Sequence, residues 1–215
     1  MLRILVVRHG QTAYNKELRN QGRADIELDE IGCAQAKSLA SAISRESITA
    51  IYSSHLKRAA KTADALATSM GLEVIVDVRL AERDYGAWEG KTREEILESD
   101  KEGFALYRSD PVIQTSGGGE TGLDVFMRVV SFLSELLQKH EDGTVVIVTH
   151  GGSGSALIAA LLHGSPATAD CIRLSNCSVS EVLIEGSRRR LARFDDHSHL
   201  TDRPLQYPHV GLTHK

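Results

Sequence analysis

The stretch Leu2-Arg3-Ile4-Leu5-Val6-Val7-Arg8-His9-Gly10-Gln11-Thr12 decides how the chain is read. The run Leu2 to Val7 is short and apolar apart from Arg3, as expected of a strand inside a sheet. It ends on an arginine and a histidine side by side. In open α/β sheets ligands gather at the carboxyl ends of the strands. A fixed cation beside an imidazole at such an end suits a histidine that attacks an anion, and phosphate is the obvious anion. A lone Arg-His pair would read better as a satisfied histidine at a strand end. Three further segments supply the matching chemistry.

Val145-Val146-Ile147-Val148-Thr149-His150-Gly151-Gly152 repeats the design: apolar strand, histidine at its carboxyl end, then glycine. The glycines open a helix whose N-terminus, with its unpaired N–H groups, faces the same edge. In a parallel sheet, His9 and His150 can approach one another. Ser53-Ser54-His55-Leu56-Lys57-Arg58 leads into an Ala-rich helix, and Arg58 falls in its first turns, where backbone N–H groups already favour anions. A guanidinium there can fork onto a phosphoryl group. Asn15, a few residues past His9, is a further hydrogen-bonding side chain. The loop Leu80 to Gly90 carries Glu82, Asp84, Glu89 and the single tryptophan, Trp88. One carboxyl there can act as general acid and then as general base for water. The residues themselves leave the choice among Glu82, Asp84 and Glu89 open.

Strand and helix signals alternate along the chain. Helices are expected from Asp29 as cap through Ala36, Leu39, Ala40 and Ile43; from His55, capped by Ser53 or Ser54, to about Met70; over Thr121 to Lys139; and over Ala156 to Leu162. Lys91 to Arg108 reads as helix in pieces. Short strands are expected at Thr49 to Tyr52 and Glu73 to Val76. Gln11 to Glu27 and Arg79 to Glu94 read as loops. Val179 to Ile184 and Arg190 to Phe194 flank Glu185-Gly186-Ser187 as a hairpin. Residues 196–215 read as an irregular tail. The pattern predicts one α/β domain over 1–215, a three-layer α/β/α sandwich around a mostly parallel sheet.

The chain has 215 residues, 41% of them hydrophobic, enough for one sizeable core. Its formal net charge of −4 offers no global positive field for nucleic acid or a membrane surface. Arg188-Arg189-Arg190 reads as a solvated face rather than a nucleic-acid patch. Cys33, Cys171 and Cys177 show no Cys-x-x-Cys spacing and read as reduced, buried thiols, with neither disulfide framework nor zinc site. Only Met1 and Leu2 precede Arg3, with no long apolar run, so no membrane span is expected and the default location is cytoplasmic. Gly151 to Ser155 nearly spells a serine-hydrolase elbow but ends on Ser155 instead of glycine. Gly117 to Gly122 lacks the ending of a Walker loop. The seven other histidines show no metal-ligand pattern.

The four segments together, in this order, resemble the histidine phosphatase superfamily, the phosphoglycerate-mutase-like enzymes, over nearly the whole chain. The resemblance implies phosphomonoester hydrolysis of a small phosphorylated metabolite without metal or cofactor. His9 would be the nucleophile that becomes phosphohistidine. Arg8, Arg58 and His150 would hold the phosphoryl oxygens, assisted by Asn15 and the Gly151 amide. Glu82 matches the family's acid, and Gln21, Gly22 and Tyr85 stand where substrate is often touched. The family commonly shows Gly-Gly-Glu-Ser where this chain has Glu120-Thr121, which bears only on a helix cap or a pocket-edge contact. A cofactor-dependent phosphoglycerate mutase would use the same residues, but mutases carry a longer insert between the positions of Glu82 and His150. The loop Asn20-Gln21-Gly22-Arg23 also resembles the phosphatase branch. A non-catalytic phospho-ligand module would be expected to lose His9, Arg58 or Glu82, and all are present. A sugar bisphosphate substrate would need rim cations, for which Arg23 or Arg83 stand ready. A homodimer is left open.

Overall fold

Strands β1 (Leu2–Arg8), β2 (Ile48–Ser53), β3 (Val74–Val76), β4 (Gly143–Thr149), β5 (Val179–Glu185) and β6 (Arg188–Asp196) form one sheet in the order β3-β2-β4-β1-β5-β6. The computed structural model describes residues 1–201. The first four strands in that order run parallel; β5 lies antiparallel to β1, and β6 to β5. The mostly parallel sheet of the sequence reading is therefore present, with its hairpin at one edge.

The helices are α1 (Ala13–Lys16), α2 (Glu30–Ile43), α3 (Lys57–Met70), α4 (Arg93–Ser99), α5 (Lys101–Ser109), α6 (Gly122–Lys139), α7 (Gly151–Leu161) and α8 (Pro166–Asp170). Alternate residues of the central strands point to opposite faces. Ile4, Val6, Val145 and Ile147 pack with α6 and α7. Leu5, Val7, Val146 and Val148 pack with α2 and α3. Helices thus cover both faces, which is why the middles of β1 (Ile4 to Val7) and β4 (Val145 to Val148) are continuously apolar rather than alternating.

Several local signals hold. Asp29 caps α2 through the Gly32 amide, and Gly71 ends α3 in the left-handed region at φ +66°. Thr121 caps α6 reciprocally with Asp124, and Val125, Val129, Phe132, Leu133 and Leu136 form its buried stripe. Other expectations need correction. Helix α3 begins at Lys57 behind Leu56, without a side-chain cap. Ser53 ends β2, and Ser54 holds the Leu56 amide from outside the helix. Helix α7 starts at Gly151, where the paired glycines were expected to open a helix, and ends at Leu161, one residue short of the expected end. The Gln11–Glu27 loop contains α1, and the Arg79–Glu94 loop contains the end of one 3-10 turn (Val78–Leu80), a second (Gly86–Trp88) and the start of α4. Of the three cysteines only Cys177 is buried; Cys33 and Cys171 are exposed. The tail reading is trimmed at its start, because Asp196 belongs to β6, and residues 202–215 lie outside the described residues. No helix among the described residues is long and apolar enough to cross a membrane.

Candidate active site

Register brings the two histidines together. Arg8 on β1 pairs with Thr149 on β4, so His9 and His150 leave adjacent parallel strands at the same level. Their ring centroids are 5.1 Å apart. His9 is anchored by its own N–H, which donates to the Thr149 carbonyl at 2.9 Å. Its carbonyl accepts from Asn176 Nδ2 at 3.0 Å. Its Nδ1 lies 2.7 Å from the Gly10 carbonyl oxygen. A carbonyl can only accept, so Nδ1 carries the proton and Nε2 keeps its lone pair. Burial, then the charges of Arg58 and Arg8, hold the imidazole well below its ordinary pKa of 6.5. His9 is therefore neutral near pH 7.

His150 is engaged on both sides. Arg58 Nε donates to its Nδ1 at 3.1 Å, so its proton sits on Nε2, which faces Ser54 Oγ at 2.8 Å. Burial, followed by the charges of Arg58, His9, Arg128 and Arg8, lowers its pKa in turn. Arg58 is fully buried on the first turn of α3. Its Nη1 and Nη2 donate to the Ala24 and Gly22 carbonyls, each at 2.7 Å. Arg58 thus ties the Gln21-Gly22 loop to the histidine pair. Gly22 has φ +54°, and a Cβ there would fall 2.0 Å from Glu89 Oε1, so only glycine fits. Gln21 is buried nearby, with Oε1 unpartnered among the described residues. Arg8, 1% exposed, donates from Nη1 to the Leu174 carbonyl at 2.6 Å. Asn15 Oδ1 accepts from the Thr12 amide and hydroxyl and from Asn176 Nδ2. With its oxygen committed, Asn15 can offer an anion only its Nδ2 donor.

Glu82 lies at the start of α7. Its Oε1 accepts from the amides of Arg83 (2.8 Å), Gly152 (3.1 Å) and Ser153 (3.1 Å). The second oxygen, Oε2, takes only the Gly152 amide at 3.1 Å. A Cβ at position 152 would approach Oε1 to 2.8 Å, so the glycine after Gly151 gives the carboxyl its seat. The other carboxylates of that loop serve the backbone: Asp84 accepts from the Gly86 amide, and Glu89 from the amides of Arg23 and Tyr85. Tyr85 and Gly151 line a cleft of about 510 Å³ beside this corner. The candidate rim cations are already engaged. Arg83 donates to the carbonyls of Glu120, Pro111 and Gln114, and Arg23 reaches the Glu120 carboxylate at 3.3 Å.

Sequence reasoning overlooked four supporting residues. Ser54, read as a helix cap, orients His150. Asn176 bridges His9 and Asn15. Thr62 accepts from the Gly10 amide and donates to the Arg58 carbonyl. Arg128 grips the Glu82 carbonyl and the Glu120 carboxylate. Only Ser54 had a usable signal, its place just beyond a strand. The near-elbow serines are occupied: Ser153 Oγ pairs with Thr149 Oγ1, and Ser155 Oγ bonds the Gly151 carbonyl. Among the described residues no group of three His, Cys, Asp or Glu gathers as a metal site.

The profile of the histidine phosphatase superfamily (branch 1) matches residues 4–197. The chain belongs to that superfamily. Phosphoserine phosphatase 1 of Hydrogenobacter thermophilus is 36% identical over 200 residues, covering 93% of this chain and 95% of that protein. Glucosyl-3-phosphoglycerate phosphatase of Mycobacterium tuberculosis is 39% identical over 168 residues, covering 74% of this chain and 75% of that one. The structure of the mycobacterial glucosyl-3-phosphoglycerate phosphatase with VO3 superposes at a TM-score of 0.82 with 35% identity, covering 90% of this chain and 98% of that one. This histidine phosphatase is accordingly a phosphomonoester hydrolase with a phosphoglycerate-mutase-like α/β fold.

Proposed function

We propose that the enzyme hydrolyses a small phosphorylated metabolite in two steps through a phosphohistidine on His9. The carrying observation is the 2.7 Å contact between His9 Nδ1 and the Gly10 carbonyl, in a buried setting flanked by Arg8 and Arg58. It leaves Nε2 as the nucleophile and gives the imidazolium of the intermediate a carbonyl to rest on.

In the first step His9 Nε2 attacks phosphorus and the P–O bond to the alcohol breaks. Glu82 in its acid form gives the leaving oxygen its proton; Oε2, with one amide contact, is the oxygen suited to carry it. In the second step the Glu82 carboxylate takes a proton from water as that water attacks phosphorus. The P–N bond breaks, phosphate leaves and neutral His9 is restored. Arg8, Arg58 and the Asn15 amide supply the positive field over the phosphoryl oxygens, where charge spreads in the transition state. His150 holds Arg58 through Nδ1 and completes that cradle, together with the Gly151 amide. Gln21, Gly22 and Tyr85 border the alcohol.

A labelled phosphomonoester tests the pathway. Quenched enzyme should carry an acid-labile, alkali-stable label that His9→Ala abolishes. Label of that kind on the His9→Ala variant would overturn the assignment. Free phosphate as the product, with no primer-dependent conversion of 3-phosphoglycerate into its 2-isomer, separates hydrolysis from mutase chemistry.

A further inference from the structure

The cleft beside Glu82 reports on the alcohol that leaves. Gly152, in its wall, donates to the Glu82 carboxyl, and Leu174, another wall residue, gives its carbonyl to Arg8. The cleft therefore abuts the phosphoryl cradle at the corner where the alcohol is protonated. Its volume of about 510 Å³ lies within the range of pockets that enclose whole small-molecule ligands. The side chain of serine would fill a small part of it.

The wall is mainly apolar. Tyr107, Pro111, Val112, Val125, Ala156 and Ile172 face the space. Several polar groups interrupt the wall, among them Tyr85, Tyr107 and Arg108, and others already have protein partners. Arg83 serves the carbonyls of residues 111, 114 and 120. Ser155 Oγ bonds the carbonyls of Gly151 and Ile172. Asp170 is the one acid of the lining, and it faces Arg173 at 3.8 Å. Arg173 also donates to the carbonyls of Asp170 and Ile172. Arg108 stands exposed on α5. A polyhydroxylated alcohol buried here would give up water to face carbon over the larger part of the wall.

We propose that this cleft binds the alcohol half of the substrate, and that the substrate is the phosphomonoester of a bulky, largely apolar alcohol bearing a hydrocarbon ring. The proposal rests on the phosphatase reading above and narrows it. It sets this chain apart from relatives whose names carry serine or a glucosyl group.

The test uses the full chain and alkyl phosphates, whose leaving groups differ little in acidity. The panel is ethyl phosphate, 2-phenylethyl phosphate, phosphoserine and glucose 6-phosphate. The expected kcat/KM for 2-phenylethyl phosphate exceeds that for ethyl phosphate by about 100-fold, the worth of burying one ring, and exceeds both polar esters. Val112→Asp and Ile172→Asp, on different segments of the wall, should each lower the phenylethyl-to-ethyl ratio by about tenfold. Equal or better turnover of phosphoserine or glucose 6-phosphate would overturn the proposal, as would a ratio untouched in both folded variants. If ethyl phosphate is hydrolysed through labelled His9 without preference for the ring, this inference alone falls. If no ester is hydrolysed and His9 takes no label, the phosphatase reading falls and carries this one with it.

Discussion

The ends of β1 and β4 are built to one plan and finish in different chemical states. Each is a largely buried strand that delivers a histidine followed by glycine. At the end of β1, His9 bonds the neighbouring Gly10 carbonyl, so that its Nε2 keeps the lone pair. At the end of β4, the guanidinium of Arg58 and the hydroxyl of Ser54 take both nitrogens of His150. The lesson is that what its second nitrogen meets decides whether a strand-end histidine keeps a lone pair fit for attack. A backbone carbonyl fixes the proton and leaves a base; an arginine takes the base away.

The sharpest way to break this comparison is to remove each ring in turn. His9→Ala should lower kcat by about 10⁴-fold or more, the scale seen when a nucleophile is lost, with the far-ultraviolet circular dichroism spectrum retained. His150→Asn should cost about 100-fold, the scale of misplacing one transition-state donor, here Arg58, and should still accept label on His9. Equal losses, or labelling of the His9→Ala variant at another histidine, would show that the two ends are interchangeable.

Acidity sharpens it next. Both imidazoles are held well below 6.5 in the folded protein, so the unfolded chain binds more protons than the native one as pH falls through that region. Stability is then full above about pH 6.5 and declines below it. The expected observation is a melting temperature that falls as pH drops from 7 toward 5, with a shallower fall in a His9→Asn/His150→Asn double variant. The same lowering keeps His9 unprotonated, so kcat/KM should hold its neutral-pH value below pH 6.5 as far as the nucleophile is concerned. A limb near pH 6.5 that disappears with His9 would contradict the buried, cation-flanked setting.

The smallest effect belongs to Ser54. Ser54→Ala removes the partner of His150 Nε2 and should cost about 1 kcal/mol of stability, read by urea unfolding, and less than tenfold in kcat. A loss as large as that of His150→Asn would mean that Ser54 orients the whole cradle.

Much of this was legible from local pattern. An uninterrupted apolar run such as Val145 to Val148 admits few readings, and helix α6 announces both its cap at Thr121 and its buried stripe. The candidate site residues His9, Arg58 and His150 were singled out because strand ends and helix starts are where an α/β sheet exposes chemistry, and the fold brings them together. What escaped depends on which segments become neighbours. Nothing near Asn176 indicates that it will bridge His9 and Asn15, because that contact exists only once β5 lies antiparallel to β1. Ser54 was assigned to its nearest helix, when its partner His150 stands just past the end of the neighbouring strand β4. Short helices also escape the 3.6-residue period: α1 and α8 have four and five residues, too few to show a face. For α8, Ser165 before Pro166 was a start signal within reach.

The sheet order also sets a timetable. Strand β1 pairs only with segments far along the chain: Leu2 lies opposite Gly143 on one side and Ile184 on the other. At synthesis rates of about 5–20 residues per second, the segment carrying His9 waits many seconds for both neighbours. Closing such distant contacts is the slow part of folding. His9 is thus among the earliest residues to be made, and its anchors at Thr149 and Asn176 arrive far later. A nascent chain stalled before β4 would hold a complete Arg8-His9 pair and no reactive site.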